Sequence, residues 1–333
     1  MEEFAEVSGI SRPTLSKYFH DPESVRASSR ERIETALAQF DYRPNIFAMN
    51  QNRKLTRTIG ILVPYLADPF FAEMVRMIER QCIDAGYWPI VFSAHGEKEL
   101  ENNALSTLQS LRPAGALIAP LGRNSDLHAV EEFTREVPTV VFDSNVKVGK
   151  AFVGSNNFHG IPLIVDYLCR TGEPPCFLEM PPVNPNANKR REAYVQAMEQ
   201  LGHEPKVIRV EGGNWDFEQI GQSEGTRLIE ARALPSDTVL CSNDRLAIGL
   251  LAAAYQKGLR VGHGPGCALR VAGYDDHPWA RFTCPPLTTV SQDYKAITER
   301  SFQTLLGIIR GENVPEERHE ILFECRLVLR SSA

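Results

Sequence analysis

The amino-terminal stretch VSGISRPTLSKYF, residues 7–19, carries side chains that can form hydrogen bonds with the edges of DNA bases. An arginine can donate two bonds to guanine and a lysine can donate more loosely, so Arg12 and Lys17 are the strongest candidates. Pro13 and Ser16 share their outward face, while neighbouring hydroxyl and N–H groups would contact phosphates. The pattern predicts contact with duplex DNA, and a small helical cap with a polar outer face is the alternative.

A second group of polar side chains follows apolar segments in the rest of the chain. Its members are Leu66 to Phe71, Asp143, the pair Asn243 and Asp244, and the pair Asp275 and Asp276. In an open parallel sheet, ligands bind beyond the carboxyl ends of the strands. Carboxylates, amides and aromatic rings in one cleft suit a neutral polyhydroxylated ligand. For Asp244 and Asp276, a role in capping the next helix is an open alternative.

Two short helices joined by a tight turn must position the amino-terminal donors. Gly9 stands where the chain turns sharply, and Ile10 fills the gap between the helices. Ser11 is a natural N-cap for the second helix, and Pro13 falls in its first turn, where a missing N–H costs little. Leu15 and either Tyr18 or Phe19 would then point back at the first helix.

The first helix, MEEFAEVS, is expected to place Phe4, Ala5 and Val7 on its inner face. A third helix is predicted from Ser28 or Ser29 to Phe40, with Ser28 as its cap. Its apolar positions follow helical spacing and are Ile33, Ala36, Leu37 and Phe40. Three short helices predict a small, self-sufficient bundle.

From Arg57 onward, apolar segments that resemble buried strands alternate with amphipathic helices. The predicted strands are TIGILVP, YWPIVFS, GALIAP, PTVVFD and AFVGS, followed by CFLEM, KVIRV, TVLCSN and LRVAGYDD. The predicted helices are FFAEMVRMIERQCIDAG, KELENNALSTLQSL, 190–201, 218–232 and 244–257. Such alternation predicts parallel sheets covered on both faces, and two series predict two lobes with a cleft between them.

The composition is that of an ordinary globular protein, with 333 residues, 43% hydrophobic and 23% charged. The net charge of −6 lies outside residues 1–56, which hold eight Lys/Arg and eight Asp/Glu. Seven scattered cysteines without a CxxC pair favour a reducing cytoplasm. No apolar run is long enough to span a bilayer, and an acidic, amphipathic amino terminus does not predict export.

Two motifs suggest enzyme or metal chemistry but are better explained structurally. GQSEG at 221–225 matches the G-x-S-x-G nucleophile elbow, yet its surroundings continue at helical spacing, which predicts a serine inside a helix. His263, Cys267, His277 and Cys284 match no common zinc spacing, and GHGPG lacks the Lys-Ser/Thr of a phosphate loop. We therefore expect no enzyme activity, metal or cofactor.

These features together resemble the lactose and galactose repressor (LacI/GalR) family of bacterial transcriptional regulators. The matching stretches follow family order over nearly the whole chain: SGISRPTLSKYF, DYRPN, TRTIGILVP, DPFFAEMVRMIE, PTVVFD, NDRLAIG, VAGYDD and PPLTTVSQD. The resemblance implies a small all-α helix-turn-helix head, a hinge helix and an α/β two-lobed sensor like periplasmic binding proteins, with two doubly wound parallel sheets. It also implies a homodimer formed through the sensor lobes.

The resemblance also implies domain boundaries. The head would cover 1–43, the hinge helix and linker 44–56, and the effector-binding and dimerisation core 57–333. Within the core, one lobe would comprise about 57–156 plus 289–320, and the other about 157–288 plus 321–333.

Carried over by position, the resemblance assigns DNA contacts to bases and to the backbone. Base reading falls on Arg12, Pro13 and Lys17, and backbone contact on Thr14, Ser16 and His20. Asn45, Met49 and Gln51 fall in the hinge helix, which would open the minor groove. The family usually has a leucine wedge where Gln51 stands, so the kink is expected to be weaker or to use Met49.

The same comparison assigns an effector cleft. It would be lined by Phe70, Phe71, Asp143, Arg190, Trp215, Asn243 and Asp275. Phe217 is an alternative to Trp215, because the spacing to Gly221 differs from the family by one residue.

The sequence therefore predicts a ligand-responsive, sequence-specific DNA-binding regulator, expected to be a repressor, that senses a sugar or sugar derivative. Its expected partners are a near-palindromic operator, a second copy of the chain and a small carbohydrate, in the cytoplasm and away from membranes. The alternative is a plain sugar-binding protein of periplasmic type, which would need a signal peptide and no helix-turn-helix.

Overall fold

The computed structural model describes residues 2–20, 22–40, 56–210, 214–312 and 317–333, without the side chains of residues 2, 3 and 20. The predicted hinge helix, with Asn45, Met49 and Gln51, lies outside these residues. The chain divides into two units, residues 1–56 and 57–333, and each is described by itself.

The amino-terminal unit is a bundle of α1 (Glu2–Ser8), α2 (Arg12–His20) and α3 (Ala27–Phe40). Its buried core consists of Phe4, Ile10, Leu15, Val25, Ile33 and Ala36. Gly9 adopts a φ of +63°, which makes the sharp turn between α1 and α2 possible.

Three details of the predicted bundle are wrong. Val7 is 56% exposed and Phe40 is 48% exposed, because the inner faces of α1 and α3 are already filled by other side chains. Helix α3 begins at Ala27, so Ser28 lies within the helix and is not its cap.

The first lobe of the larger unit is a six-stranded, all-parallel sheet in the order β11-β5-β4-β3-β1-β2. Its strands are β1 (Thr58–Val63), β2 (Trp88–Ser93), β3 (Gly115–Ile118), β4 (Thr139–Phe142), β5 (Ala151–Ser155) and β11 (His319–Phe323). Its helices are α4 (Pro69–Asp84), α5 (Lys98–Leu111), α6 (Leu127–Glu136) and α11 (Tyr294–Arg310). The predicted helix KELENNALSTLQSL coincides with α5, whereas α6 was not predicted.

The second lobe contains a four-stranded parallel sheet in the order β7-β6-β8-β9. Its strands are β6 (Cys176–Leu178), β7 (Val207–Ile208), β8 (Thr238–Cys241) and β9 (Arg270–Ala272). Its helices are α7 (Asn157–Thr171), α8 (Pro185–Gln200), α9 (Phe217–Glu230) and α10 (Asp244–Gln256). A two-stranded antiparallel sheet of β10 (Thr289–Ser291) and β12 (Arg326–Val328) lies beside it.

The described chain crosses between the lobes after β5, after β10 and after β11. Strand β11 joins the first sheet beside β5, and β12 then returns to pair with β10. Strands β3, β4 and β8 are buried at every position. Because both faces of each strand are covered, the sequence shows no alternation of apolar and polar residues along them. Because all strands of each sheet run in parallel, their carboxyl ends meet at one edge, and the two edges face each other.

Candidate nucleic-acid interface and ligand cleft

Helix α2 begins at Arg12 because the residue before it satisfies the first free backbone groups. The Thr14 N–H donates to Ser11 Oγ at 3.4 Å, and the Leu15 N–H donates to the Ser11 carbonyl at 3.0 Å. Pro13 occupies the first turn, as expected. The cap thereby fixes which face of α2 points outward.

The outward face of α2 carries the predicted DNA-contacting side chains. Arg12, Pro13, Ser16 and Lys17 are exposed, and Thr14 is half-buried. Leu15 is fully buried between the helices. The structure therefore presents two cationic side chains on one face.

A cavity between the two lobes brings together every side chain that the family resemblance assigned to the effector cleft. It is lined by Asp68, Phe70, Phe71, Asp143, Met180, Asn184, Asn186, Arg190, Trp215, Phe217, Asn243 and Asp275. Trp215 and Phe217, between which the sequence left a choice, are both present. The free cavity volume is about 20 Å³, which is room for little more than one water molecule. The lobes are therefore closed on each other in this arrangement.

Several cleft residues are held in place because they also cap helices. Asp68 Oδ1 accepts from the Phe70 N–H at 3.0 Å at the start of α4. Asn184 Oδ1 caps α8, and Asn243 Oδ1 caps α10 by accepting from the Leu246 N–H at 2.8 Å. The strand–turn–helix connections thus hold polar side chains rigidly at the carboxyl ends of the strands.

A chain of buried hydrogen bonds begins at Asp143, whose backbone has a φ of +56°. In the second lobe, Asn186 Nδ2 donates to Asp143 Oδ1 at 3.1 Å. Asn186 Oδ1 accepts from Asn157 Nδ2 at 3.1 Å, and Asn157 Oδ1 accepts from Arg190 Nε at 3.1 Å. Asn157 stands at the first crossing between the lobes, so the network links the cleft to that crossing.

The network continues from Arg190 through a second cleft carboxylate. Arg190 Nη2 donates to Asp275 Oδ1 at 2.7 Å, and its guanidinium lies 4.1 Å from the centroid of the Tyr274 ring. Gln292 Nε2 donates to the same Asp275 oxygen at 2.7 Å, and Ser155 donates to Gln292 Oε1. Ser155 ends β5 and Gln292 directly follows β10, so both stand where the chain enters a crossing.

Burial favours the protonated, uncharged form of the carboxyl groups in the cleft. It raises the pKa of Asp143 to about 7, with Arg190 opposing the rise and Asp275 adding to it. Burial also raises the pKa of Asp275 to about 7, although Arg190 forms an ion pair with it. Near neutral pH, both carboxyl groups are therefore able to lose or keep a proton.

Some hydrogen-bonding capacity in the cleft is unused by the protein. Among the described residues, Oδ2 of Asp143 and Oδ2 of Asp275 make no hydrogen bond, while each Oδ1 does. Asn243 Nδ2 contacts only the Met180 sulfur at 3.4 Å. The cleft thus offers carboxylate acceptors and an amide donor beside aromatic rings.

Four cleft residues were not singled out from the sequence. Asn184 and Asn186 are signalled only by the Asn-Pro-Asn that starts α8, and Asp68 lay inside the range Leu66 to Phe71. Met180 had no signal beyond its place after β6.

Three other strand-end residues do not line the cavity. Leu66 is 37% exposed. Asp244 accepts from Thr289 Oγ1 and the His277 N–H, and Asp276 binds Arg330, so neither caps a helix with its side chain.

The remaining motifs are structural. Ser223 of GQSEG lies inside α9 and donates to the Gln219 carbonyl at 2.8 Å, which confirms the helical interpretation. Among the described residues, no group of three or more His, Cys, Asp or Glu side chains could hold a metal ion. No helix within the described part of the chain is both long and apolar enough to cross a bilayer.

Comparison with known proteins gives matches in both units. Residues 1–45 match the family model described as bacterial regulatory proteins, lacI family, and residues 175–333 match the periplasmic binding protein-like domain. The chain is 28% identical to the ribose operon repressor of Escherichia coli (strain K12) over 324 residues, which is 96% of each protein. It is 27% identical to the HTH-type transcriptional repressor CytR of the same strain, over 100% of this chain and 95% of that protein.

A similar fold occurs in a crystal structure of the Lac repressor dimer bound to operator and the anti-inducer ONPF. The TM-score is 0.83 at 26% sequence identity, and the match covers 99% of this chain and 97% of that chain.

Proposed function

We propose a regulatory mechanism for this chain on the premise that it belongs to the LacI/GalR family of bacterial transcriptional regulators and is not an enzyme. Its head binds DNA, and its two-lobed core responds to a small-molecule effector. We infer that it is a homodimeric repressor in the cytoplasm, with one head on each half of a near-palindromic operator. The supporting observation is that a helix-turn-helix with outward Arg12 and Lys17 occurs in one chain with a closed two-lobed cleft.

On the DNA side, we assign base reading to Arg12, Pro13 and Lys17. We assign backbone contact to Thr14, Ser16 and His20. Residues 44–56 would form the hinge helix and linker, in which the DNA-contacting positions are Asn45, Met49 and Gln51. The exposure of the α2 face supports these roles, since base edges in the major groove require donors that project from a helix.

On the effector side, the cleft favours an uncharged molecule that carries several hydroxyl groups. Asp143 and Asp275 each present an unpaired acceptor oxygen, which a hydroxyl group satisfies and a phosphate or carboxylate would repel. Phe70, Phe71 and Trp215 supply ring faces for the C–H groups of a sugar. We therefore propose a neutral sugar or polyol.

We propose that the hydrogen-bond chain transmits the presence of the effector to the crossings between the lobes. A ligand bound at Asp275 would reorganise bonds that end at Gln292 and Ser155. A tenfold change in operator affinity requires about 1.4 kcal/mol of coupling between the two sites. The rearrangement of a few buried hydrogen bonds is enough to supply an energy of this size.

We propose that the cores pair in the dimer. Trp279 precedes one short 3-10 turn and Phe282 ends it, and their side chains are 63% and 77% exposed. Large aromatic rings exposed together favour contact with another protein surface. An operator with two half-sites needs two heads, so we propose that a second copy of the chain contacts this surface.

The effector proposal is tested with Asp275→Asn rather than Asp275→Ala, because asparagine keeps the oxygen that Arg190 and Gln292 contact. Thermal shift with monosaccharides, disaccharides, polyols and sugar acids should find a neutral compound that stabilises the parent protein. The variant should fold, bind the same DNA and lose at least tenfold in affinity for that compound by calorimetry. Unchanged affinity would remove Asp275 from the effector site.

A further inference from the structure

Arg245 lies at the start of α10 in the second lobe and is fixed there by a carboxylate of α9. Its Nε donates to Glu218 Oε1 at 2.8 Å, and its Nη2 donates to Glu218 Oε2 at 2.6 Å. The Arg245 side chain is only 6% exposed. This paired geometry leaves one terminal nitrogen, Nη1, directed away from Glu218.

That nitrogen reaches the first lobe. Arg245 Nη1 donates to Asp68 Oδ2 at 3.1 Å, while Asp68 Oδ1 caps helix α4. The guanidinium also lies 5.6 Å from the ring centroid of Tyr65 in the first lobe and 5.0 Å from that of Phe217 in the second. Arg245 therefore binds both lobes at once.

The ion cluster lies between the cavity and solvent. Asp68 lines the cavity with a side chain 9% exposed, whereas the Glu218 side chain is 44% exposed. Beside the cluster, the rings of Trp215 and Tyr65 stack across the cleft with centroids 6.2 Å apart. Gly96 of the first lobe adopts a φ of +78°, and a Cβ there would lie 2.5 Å from Trp215 Cδ1. This side of the cleft is therefore packed shut.

We propose that Arg245 is the lobe-coupling residue of the cleft, held by Glu218 and closing onto Asp68, so that a polyol can enter only when the Arg245–Asp68 ion pair is released. Closure removes Arg245 and Asp68 from water; Glu218 compensates part of the charge of Arg245, and the Arg245–Asp68 ion pair compensates that of Asp68 across the lobes. Loss of either charge leaves the other buried without its cross-lobe partner and favours the open arrangement. This inference rests on the effector-binding function proposed for the two-lobed core, and it depends neither on DNA binding nor on which neutral polyol is the effector.

The position of Trp215 allows a direct test in the absence of any effector. The other two tryptophans, Trp88 and Trp279, are each 63% exposed and can be replaced by phenylalanine, which keeps an aromatic ring at the proposed dimer contact of Trp279. Quenching by acrylamide, a neutral probe, then reports the accessibility of Trp215, which is 4% exposed in the closed cleft. In this background, Arg245→Gln should raise the quenching constant at least twofold.

Asp68→Asn provides a second variant that preserves the fold, because asparagine also caps helices and can keep the bond to the Phe70 N–H. It should raise the quenching constant too, and the double variant should add little to Arg245→Gln. Arg227→Gln is the matched control, since Arg227 pairs with Glu224 on the exposed surface of α9 and touches no other lobe. It should leave the constant unchanged.

The proposal is overturned if both Arg245→Gln and Asp68→Asn fold, as judged by circular dichroism, and Trp215 stays as protected as in the parent. It is also overturned if the control Arg227→Gln exposes Trp215 as much as they do, because the effect would then be general loosening. If Arg245→Gln does not fold, Asp68→Asn alone decides the outcome. None of these results bears on whether the head binds an operator.

Discussion

Asp143 serves both lobes from a single position after β4. Its backbone φ of +56° turns the carboxyl group toward the second lobe, where Oδ1 accepts a hydrogen bond from Asn186. Asp143 lines the cavity, and its Oδ2 makes no hydrogen bond among the described residues. Because the carboxyl group is buried in the cleft, its pKa is raised and it is only partly ionised near neutral pH.

This burial predicts a dependence of stability on pH that one substitution should remove. Burial raises the Asp143 pKa from 3.8 to about 7, so between about pH 4 and pH 7 the folded protein holds a proton that the unfolded chain has lost. The contribution of Asp143 to the free energy of unfolding therefore falls as pH rises through this window. Asp143→Asn keeps the acceptor for Asn186 and suits the left-handed backbone. Its melting temperature should exceed that of the parent at pH 8 by at least about 2–4 °C.

The comparison of parent and variant across pH is the control, since other groups, including His277 with its lowered pKa, are common to both. The gain should shrink as pH falls through this window and disappear below about pH 4, where the carboxyl group is protonated in both the folded and the unfolded parent. A difference in melting temperature that is constant from pH 5 to pH 8 would show that Asp143 does not titrate in this range.

In the head, the position of Arg12 at the exposed start of α2 leads to a prediction about specificity. Arg12→Ala should cost about 1–3 kcal/mol at one base pair of each half-site and relax the preference there. Arg26→Ala, an exposed arginine outside α2, is the control and should weaken all sequences equally and slightly. Binding to operators substituted at each base pair measures both. An equal loss for Arg12→Ala on every sequence would argue against base reading.

The residues that could be predicted from the sequence are those whose role depends on their own strand or helix. Asp275 follows a recognisable apolar strand, and Arg12 follows a recognisable cap. Asn186 and Arg245 could not be predicted, because their roles depend on carboxylates of the opposite lobe, far away in the sequence. Burial and pKa shifts likewise require the closed cleft and cannot be obtained from residue types.

At the scale of elements, helices α9 and α10 pack closely because glycines remove the side chains between them. A Cβ on Gly221 would lie 2.2 Å from the Leu246 carbonyl oxygen, and one on Gly249 would lie 2.1 Å from the Glu218 carbonyl oxygen. These two helices also carry Phe217 and Arg245 to the cleft. The contact between their backbones is therefore part of what positions the site.

Gly249→Ala should push α9 and α10 apart, since the obstructing atoms belong to the backbone and cannot rotate away. We expect a loss of about 2 kcal/mol or more in the free energy of unfolding, despite the better helix propensity of alanine. Gly225→Ala is the matched control on the same interface, because its Cβ would meet the tip of the Leu250 side chain at 2.8 Å. It should cost less than about 1 kcal/mol.

Urea unfolding of both variants measures these differences. Equal losses for Gly249→Ala and Gly225→Ala would contradict the argument that backbone contact at Gly249 sets the spacing of the helices. Loss of the protection of Trp215 in Gly249→Ala alone would further tie this spacing to the cleft.

Several elements with strong patterns were predicted, whereas the helices α6, α7 and α11 were not. The segments TIGILVP and KELENNALSTLQSL gave β1 and α5 within one residue. Helix α6 was missed, although LHAVEEFTRE packs Val130 and Phe133 into the core, because ten residues give few repeats of the helical period. Gly221 and Gly225, which pack against α10, also match the G-x-S-x-G motif, and helical spacing correctly favoured a helix over a nucleophile elbow at that point.

At the scale of the whole molecule, the described core is a pair of lobes joined by three crossings, with buried polar side chains at each cleft edge. The cross-lobe contacts are polar and aromatic, as in Asp68–Arg245, Asp143–Asn186 and Tyr65–Trp215. Polar contacts can exchange partners with a ligand, whereas an apolar interface would only be broken by it. This makes the core suited to two arrangements selected by a small molecule.

A regulator of this type must bind DNA differently in those two arrangements. The account requires the effector to prefer one lobe arrangement and the operator-bound head to prefer one as well. The effector can either release the protein from the operator or recruit it, because a coupling free energy of either sign meets this requirement. The size of the coupling free energy decides how strongly the effector changes the affinity for the operator.

The most direct measurement is the affinity of the purified full-length protein for a promoter fragment, by fluorescence anisotropy, with and without the neutral sugar or polyol that stabilises it. We predict binding at least tenfold tighter than to random duplex DNA, a change of about tenfold or more on adding the compound, and loss of that change in Asp275→Asn. Equal affinity for promoter fragments and random duplex, whatever compound is added, would contradict the account.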